Sequence, residues 1–147
     1  MKIITATLDH LELIAPLFNA YRVFYDQASD LEAATAFLHE RFLLRESVIY
    51  IALEGETAFG FTQLYPSFSS VSMRRLWILN DLFVVPEARG QRVGEALIGA
   101  AVSLARESGA VGLQLETAHN NLSGQKLYER LGFQREDLEY RRYFLKV

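Results

Sequence analysis

Three short stretches bring together groups able to do chemistry. In "LNDLFV", residues 79–84, Asn80 and Asp81 interrupt an apolar run, and burying polar groups in a strand needs a reason. In "PEARGQRVGEAL", residues 86–97, Arg89, Gly90, Gln91, Arg92 and Gly94 stand where a strand hands over to a helix. In "NNLSGQKLYERLGF", residues 120–133, Asn121, Tyr128, Gly132 and Phe133 share one helix-and-turn unit.

Each stretch suits a different task. The first free N–H groups of a helix point along its axis at the positive end of its dipole, so they bind phosphate oxygens. A diphosphate can come close only where the turn presents little side chain, as at Gly90, Gly94 and Ala96, while Arg89 and Arg92 add charge. Taken alone, such glycines equally open a helix for structural reasons. Asp81 could take a proton, directly or through a water, or it could satisfy backbone groups at a bulge. Asn80 cannot act as a base, and the loop residue His119 is a third option. Tyr128, protonated at neutral pH, could give a proton or simply pack on a sheet.

Competing signatures are missing. There is no G-x-x-x-x-G-K-[ST] and no G-x-G-x-x-G. Ser123-Gly124-Gln125-Lys126 fits S-x-x-K without its partner motifs. His10, His39 and His119 lack metal-ligand spacing, so no metal is expected. The absence of cysteine excludes disulfides, thiolate zinc sites and a Cys nucleophile.

The 147 residues, half of them hydrophobic, are enough for about one domain, expected to span 1–147. A net charge of −3 supplies no basic field for a nucleic-acid partner, and Arg74-Arg75 and Arg141-Arg142 read as solvated surface. "MKIITATLDH" is no secretory signal, and no apolar run approaches the ~20 residues of a membrane span. No membrane association and a cytoplasmic location are therefore expected.

The elements that must position these groups follow from periodicity. "KIITATL" predicts a strand; a helix begins at Asp9, with Pro16 expected to kink or break it. Ser29-Asp30-Leu31-Glu32 predicts a capping box and a helix to about Arg45. "SVIYIAL" and "TAFGFTQLY" around Glu54-Gly55-Glu56 predict a hairpin, "PSFSSVSM" a loop, and Arg75–Val85 a strand. A helix over Gly90–Glu107, a strand "VGLQLET", a short helix and a last strand "LEYRRYFLKV" complete a mixed α/β layer structure.

Val84 to Leu97 fits V-x-P-x-x-R-G-x-G-x-G-x-x-L, with Arg92 in place of a glycine, and Asn121 to Phe133 fits N-x-x-A-x-x-L-Y-x-x-x-G-F, with Gly124 in place of alanine. Both motifs, in order and at this separation, resemble the GNAT superfamily of acyl-CoA-dependent N-acyltransferases, and the "LNDLFV" segment resembles its polyamine and histone-like branch. The resemblance implies a mostly antiparallel central sheet flanked by about four helices, and acetyl-CoA as co-substrate. By the same resemblance the pyrophosphate meets Arg89, Gly90, Gln91, Arg92, Val93, Gly94, Glu95 and Ala96. The backbone of Phe83, Val84 and Val85 meets the acetyl and pantetheine groups, and Asn121 and Tyr128 stand by the cofactor, Tyr128 as the acid. Asp81 is a base option. Tyr21, Tyr25, Asp26 and Asn80 wall the acceptor site, where an aromatic–acid pairing would suit a cationic amine; the residues equally fit Tyr21 and Phe24 as core with Asp26 as a surface turn residue. The implied activity is transfer of an acetyl group to a primary amine in a ternary complex, with a small amine (polyamine or amino acid) favoured over protein lysine, by a homodimer. The alternative is a non-catalytic acyl-CoA-binding sensor or interaction module.

Overall fold

Gly55-Glu56 is the two-residue turn around which the sheet is organised. Gly55 takes a φ of 61°, a left-handed value that tight hairpins favour. The structure, a computed structural model, describes residues 1–147. On either side of the turn β2 (Val48–Glu54) and β3 (Thr57–Ser69) pair antiparallel. β1 (Lys2–Thr5) joins β2, and β4 (Arg74–Val84) joins β3, both antiparallel. β5 (Leu113–Gln114) runs parallel to β4 through Trp77↔Leu113 and Ile78↔Gln114 only. The order β1-β2-β3-β4-β5 and four α-helices give the mixed, mostly antiparallel α/β fold expected.

Side chains alternate across the strands and so build two cores. On one face Ile49, Ile51, Phe61 and Phe83 pack with Ile14, Phe18, Ala34 and Leu38 of α1 (Leu11–Phe24) and α2 (Leu31–Leu43). On the other, Ala52, with Tyr50, Leu82 and Val84 partly buried, packs with Val93 and Leu97 of α3 (Val93–Glu107). Each fully buried Ile or Leu contributes about 1.5–3 kcal/mol, which resists any slip in register.

Several local expectations are corrected. Pro16 breaks nothing: α1 runs on through it, because the proline sits near the helix start and removes a single early hydrogen bond. The cap of α2 is Asp30, whose side chain accepts from the Ala33 N–H at 3.0 Å, and Asn19 fastens this corner from α1 through the Asp30 N–H and the Ser29 hydroxyl. Pro66 to Ser69 belong to β3 and pair with Trp77 to Arg74. Beyond Leu64 the β2 side of β3 is open, so a proline without an N–H is tolerated there. α3 starts at Val93, leaving Gly90–Arg92 as a turn.

The chain divides into two compact units, Met1–Leu115 and Glu116–Val147. The second contains α4 (Leu122–Arg130), closed by Gly132 at a φ of 98°, whose N–H donates to the Glu129 carbonyl. The strand expected over 138–147 is not formed, and Leu138, Tyr143, Phe144 and Leu145 are exposed. Nothing in that unit offers a ladder, and a strand without one leaves its backbone groups to water.

Candidate active site

The β3–β4 register slips where the polar residues stand. Gln63 faces Asp81 but Leu64 faces Leu79, so Asn80 is the extra residue of a β-bulge. Asp81, only 2% exposed, lies two residues before Phe83 and shares its sheet face. Its carboxylate is held from several sides. Gln63 Nε2 donates to Oδ2 at 2.5 Å and Asn80 Nδ2 donates to Oδ1 at 2.7 Å. Ser47 Oγ donates to Gln63 Oε1 at 2.8 Å, which fixes the amide with its N–H toward Asp81. The Tyr21 hydroxyl reaches both the Asn80 carbonyl, at 3.2 Å, and the Asp81 carboxylate. Burial pushes the Asp81 carboxyl above the ordinary carboxylate range; hydrogen bonds from Gln63, Asn80 and Tyr21 pull it back only in part. A carboxylate raised in this way is a better proton acceptor near neutral pH than an ordinary aspartate.

Asp81 opens onto a cleft of about 400 Å³ lined by Phe18, Tyr21, Arg22, Ala33, Ala34, Phe37, Tyr65, Asn80 and Asp81. The Phe18 and Phe37 rings stack at 5.7 Å, while Tyr21 meets Phe61 edge to face at 6.0 Å. Tyr65 is pushed up to about 12, first by burial and then by the charge of Asp81, so its hydroxyl stays protonated. A small cleft with aromatic walls and a buried acid suits a cationic amine.

Past the C-terminal end of β4 the chain builds with backbone. Pro86–Ala88 forms a 3-10 turn, and Arg89 Nε reaches back to the Val84 carbonyl at 3.0 Å, its guanidinium 5.8 Å from the Phe24 and Phe83 rings. Gln91 Nε2 donates to the Glu87 carbonyl at 3.2 Å. Gly90 has a φ of 76°, and a Cβ placed on it would meet no protein atom within 4 Å. Arg92 follows at a φ of 62° as the N-cap of α3, and no side chain caps that helix. Asp30 caps α2 and Asn121 caps α4, so the start of α3 keeps backbone donors that a bound anion could meet. From Leu79 onward β4 has no partner on its β5 side, although the Val85 N–H is already taken by the Phe59 carbonyl at 2.9 Å.

Within the second unit Asn121 is the N-cap of α4. It accepts from the Gly124 N–H at 3.2 Å and donates to Thr117 Oγ1 at 2.9 Å. Tyr128 stands near the end of that helix with its ring 5.9 Å from Phe133, and the Phe133 N–H donates to the Tyr128 carbonyl at 3.0 Å.

The family model described as "Acetyltransferase (GNAT) family" matches residues 11–133. The chain belongs to the GNAT acetyltransferase family. It is 52% identical over 147 residues to the Bacillus subtilis protein "Uncharacterized N-acetyltransferase YhfO", which covers all of this chain and 98% of that one. A Haemophilus influenzae "Probable acetyltransferase" is 38% identical over 124 residues, covering 84% of this chain and 85% of its own. A crystal structure of a "probable acetyltransferase" superposes with a TM-score of 0.93 at 48% identity, covering 100% of this chain and 98% of the other. This GNAT chain is accordingly an acyltransferase, and the non-catalytic alternative is not favoured.

On this GNAT fold Tyr21, Asn80 and Asp81 come together in the cleft. Tyr25 lies one ring out, 5.0 Å from Tyr21 and edge to face, and Asp26 sits exposed at the end of α1 with a φ of 63°. His119 is exposed in the second unit. No three His, Asp or Glu side chains are grouped to hold a metal ion, and no helix is long and apolar enough to cross a membrane. Sequence reasoning missed Gln63 and Ser47. Gln63 carried a readable signal, since it is one more polar residue in an apolar strand run, "GFTQLY". Phe18, Phe37 and Tyr65 carried none, because wall aromatics look like ordinary core.

Proposed function

We propose that this GNAT acetyltransferase transfers the acetyl group of acetyl-CoA to a small primary amine by direct attack in a ternary complex. The observation that carries the reading is a buried carboxylate with a raised pKa at the floor of an aromatic cleft. The resemblance of "LNDLFV" to the polyamine and histone-like branch supports an amine acceptor, and the modest volume of the cleft favours a small one over protein lysine.

The turn suits the cofactor. Open space beside Gly90 and an uncapped helix start fit a diphosphate. The first N–H groups of Val93, Gly94 and Glu95 would hold it, with Gly90, Gln91 and Ala96 leaving room and Arg92 adding charge. Arg89 braces the turn against Val84, and the backbone of Phe83, Val84 and Val85 would complete the binding surface. Acetyl-CoA supplies an activated acyl thioester. Asp81 accepts the proton of the attacking amine, whose ammonium form dominates near neutral pH. Tyr128 gives a proton to the departing thiolate.

Amine-dependent thiol release tests both roles. Asp81→Asn should lower kcat by about 10²–10⁴-fold and Tyr128→Phe should also cut turnover, each with acetyl-CoA affinity nearly intact. Wild-type turnover in either variant sinks that residue's role. In the wild type, activity should fall as pH drops through the raised pKa of Asp81. The sign for stability is opposite to that of a salt-bridged aspartate. The folded form holds this proton more tightly than the unfolded chain. The stabilisation is therefore present below the unfolded pKa and lost as pH rises through the folded one. Asp81→Asn should flatten that slope.

A further inference from the structure

The cleft that holds Asp81 also holds one cation. Arg22, half-buried on α1, lines the same cleft. Its side chain makes one hydrogen bond, from Nη1 to the Ala28 carbonyl at 3.3 Å. That bond ties the guanidinium down without neutralising it. Three other arginines find acids: Arg41 pairs with Glu40 and Glu46, Arg135 with Asp137, and Arg142 with Glu116. Arg22 has no such partner, and the charge of Asp81 is stabilised by Gln63, Asn80 and Tyr21 instead. The rest of the lining is largely aromatic or small, as at Phe18, Phe37 and Ala34.

We infer that the acceptor is an amine that carries its own carboxylate, an amino-acid-like molecule held with its amine at Asp81 and its carboxylate at Arg22. The inference rests on the acceptor-cleft reading above and narrows it. A guanidinium presents a planar fork of donors that matches a carboxylate in a two-point contact, so it fixes orientation as well as charge. The same unpaired cation works against a polyamine, whose second ammonium would face like charge in a partly desolvated cleft. A lysine within a protein chain brings no carboxylate of its own to this point. The aromatic walls leave room for an apolar side chain.

The test offers phenylalanine, leucine and methionine, in both hands, each beside its primary amide, with spermidine as the polyamine probe. Thiol release from acetyl-CoA is read as kcat/KM for wild type, Arg22→Gln and Arg22→Lys. An acid and its amide differ in amine pKa, so the informative quantity is how their ratio changes between proteins. Arg22→Gln should lower the acid-to-amide ratio about tenfold or more, and Arg22→Lys should restore part of it. General loosening of the fold would lower both rates and leave the ratio alone. An unchanged ratio in Arg22→Gln overturns the inference, as does spermidine outperforming every amino acid in the wild type. Acetylation of amides and spermidine that needs Asp81 but is indifferent to Arg22 would overturn this inference alone. Binding of acetyl-CoA with no amine of any class acetylated would sink the acceptor-cleft reading, and this inference with it.

Discussion

On the proposed reading, the bulge in β4 and the turn that follows the strand would solve two binding problems with opposite materials. Around Asn80-Asp81 the groups proposed to work are side chains, buried and locked by a relay from Ser47 through Gln63 to the carboxylate. Past Val84 the proposed diphosphate contacts are backbone N–H donors at the exposed start of α3, shaped by left-handed residues at 90 and 92. A site made of side chains fails when a functional group is exchanged, and one made of backbone fails when a side chain is added. A proton acceptor must have a tuned pKa, which takes burial and chosen partners. A diphosphate needs donors and room, which a helix end supplies without any special side chain.

Gly94→Asp is the strongest way to sharpen that contrast, because it should move stability and binding in opposite directions. Gly94 is the second residue of α3, where an acidic side chain favours the helix dipole and any residue but proline favours the helix over glycine. The apo protein should therefore melt no lower than wild type. A carboxylate close to the bound diphosphate would cost about 1–4 kcal/mol at a separation of ~4 Å, or roughly 5- to 1000-fold in affinity. Calorimetric titration with acetyl-CoA reads it. Wild-type affinity would mean that the pyrophosphate binds elsewhere.

Gly60→Ala tests the frame that both regions share. Gly60 pairs with Val84, and a Cβ there would lie 2.7 Å from the Phe83 carbonyl oxygen and 3.3 Å from Leu97 Cδ1. The nearer obstacle is backbone in a paired strand, so β3 and β4 must part. A cost of about 1–3 kcal/mol is expected from urea unfolding, in line with overpacking elsewhere. Acetyl-CoA binding should weaken with it, because Phe83 to Val85 lead directly into the turn. A loss under ~0.5 kcal/mol would show that the strands give way freely, and that the close approach plays no part in placing the turn.

How much of this was legible in the sequence follows from the same contrast. The turn at 86–97 was readable because backbone chemistry lies in consecutive residues: a proline, glycines and a helix period in fixed order. The hairpin was readable for the same reason, at Gly55-Glu56. Asn80-Asp81 announced a bulge, but only the register shows that Asn80 is the extra residue and that Asp81 points inward. The cleft was largely hidden. Its walls come from α1, α2, β3 and β4, and Phe18 or Phe37 at helical spacing cannot be told from core. The C-terminal stretch misled for a related reason: "LEYRRYFLKV" has strand composition, yet strand formation depends on a neighbour that composition does not reveal.

Arg92→Gly is the finest test, since it asks whether the one departure from the glycine-rich pattern is strain or function. Arg92 adopts a φ of 62°, where a side chain costs roughly 1–2 kcal/mol relative to right-handed backbone. Glycine relieves that strain but frees the unfolded chain, so the net gain should be under about 1 kcal/mol, a rise of ~2–3 °C in melting temperature. Binding decides the rest. If the guanidinium faces the diphosphate, the glycine variant should bind acetyl-CoA about three- to tenfold more weakly, and the loss should shrink as salt is raised. That is the outcome expected here, because a strained arginine at an uncapped helix start is hard to explain by packing: the residue is exposed, and Val93, not Arg92, anchors α3 in the core. Tighter binding by the glycine variant would instead mark Arg92 as an obstruction, and the backbone alone would account for the whole of the diphosphate site.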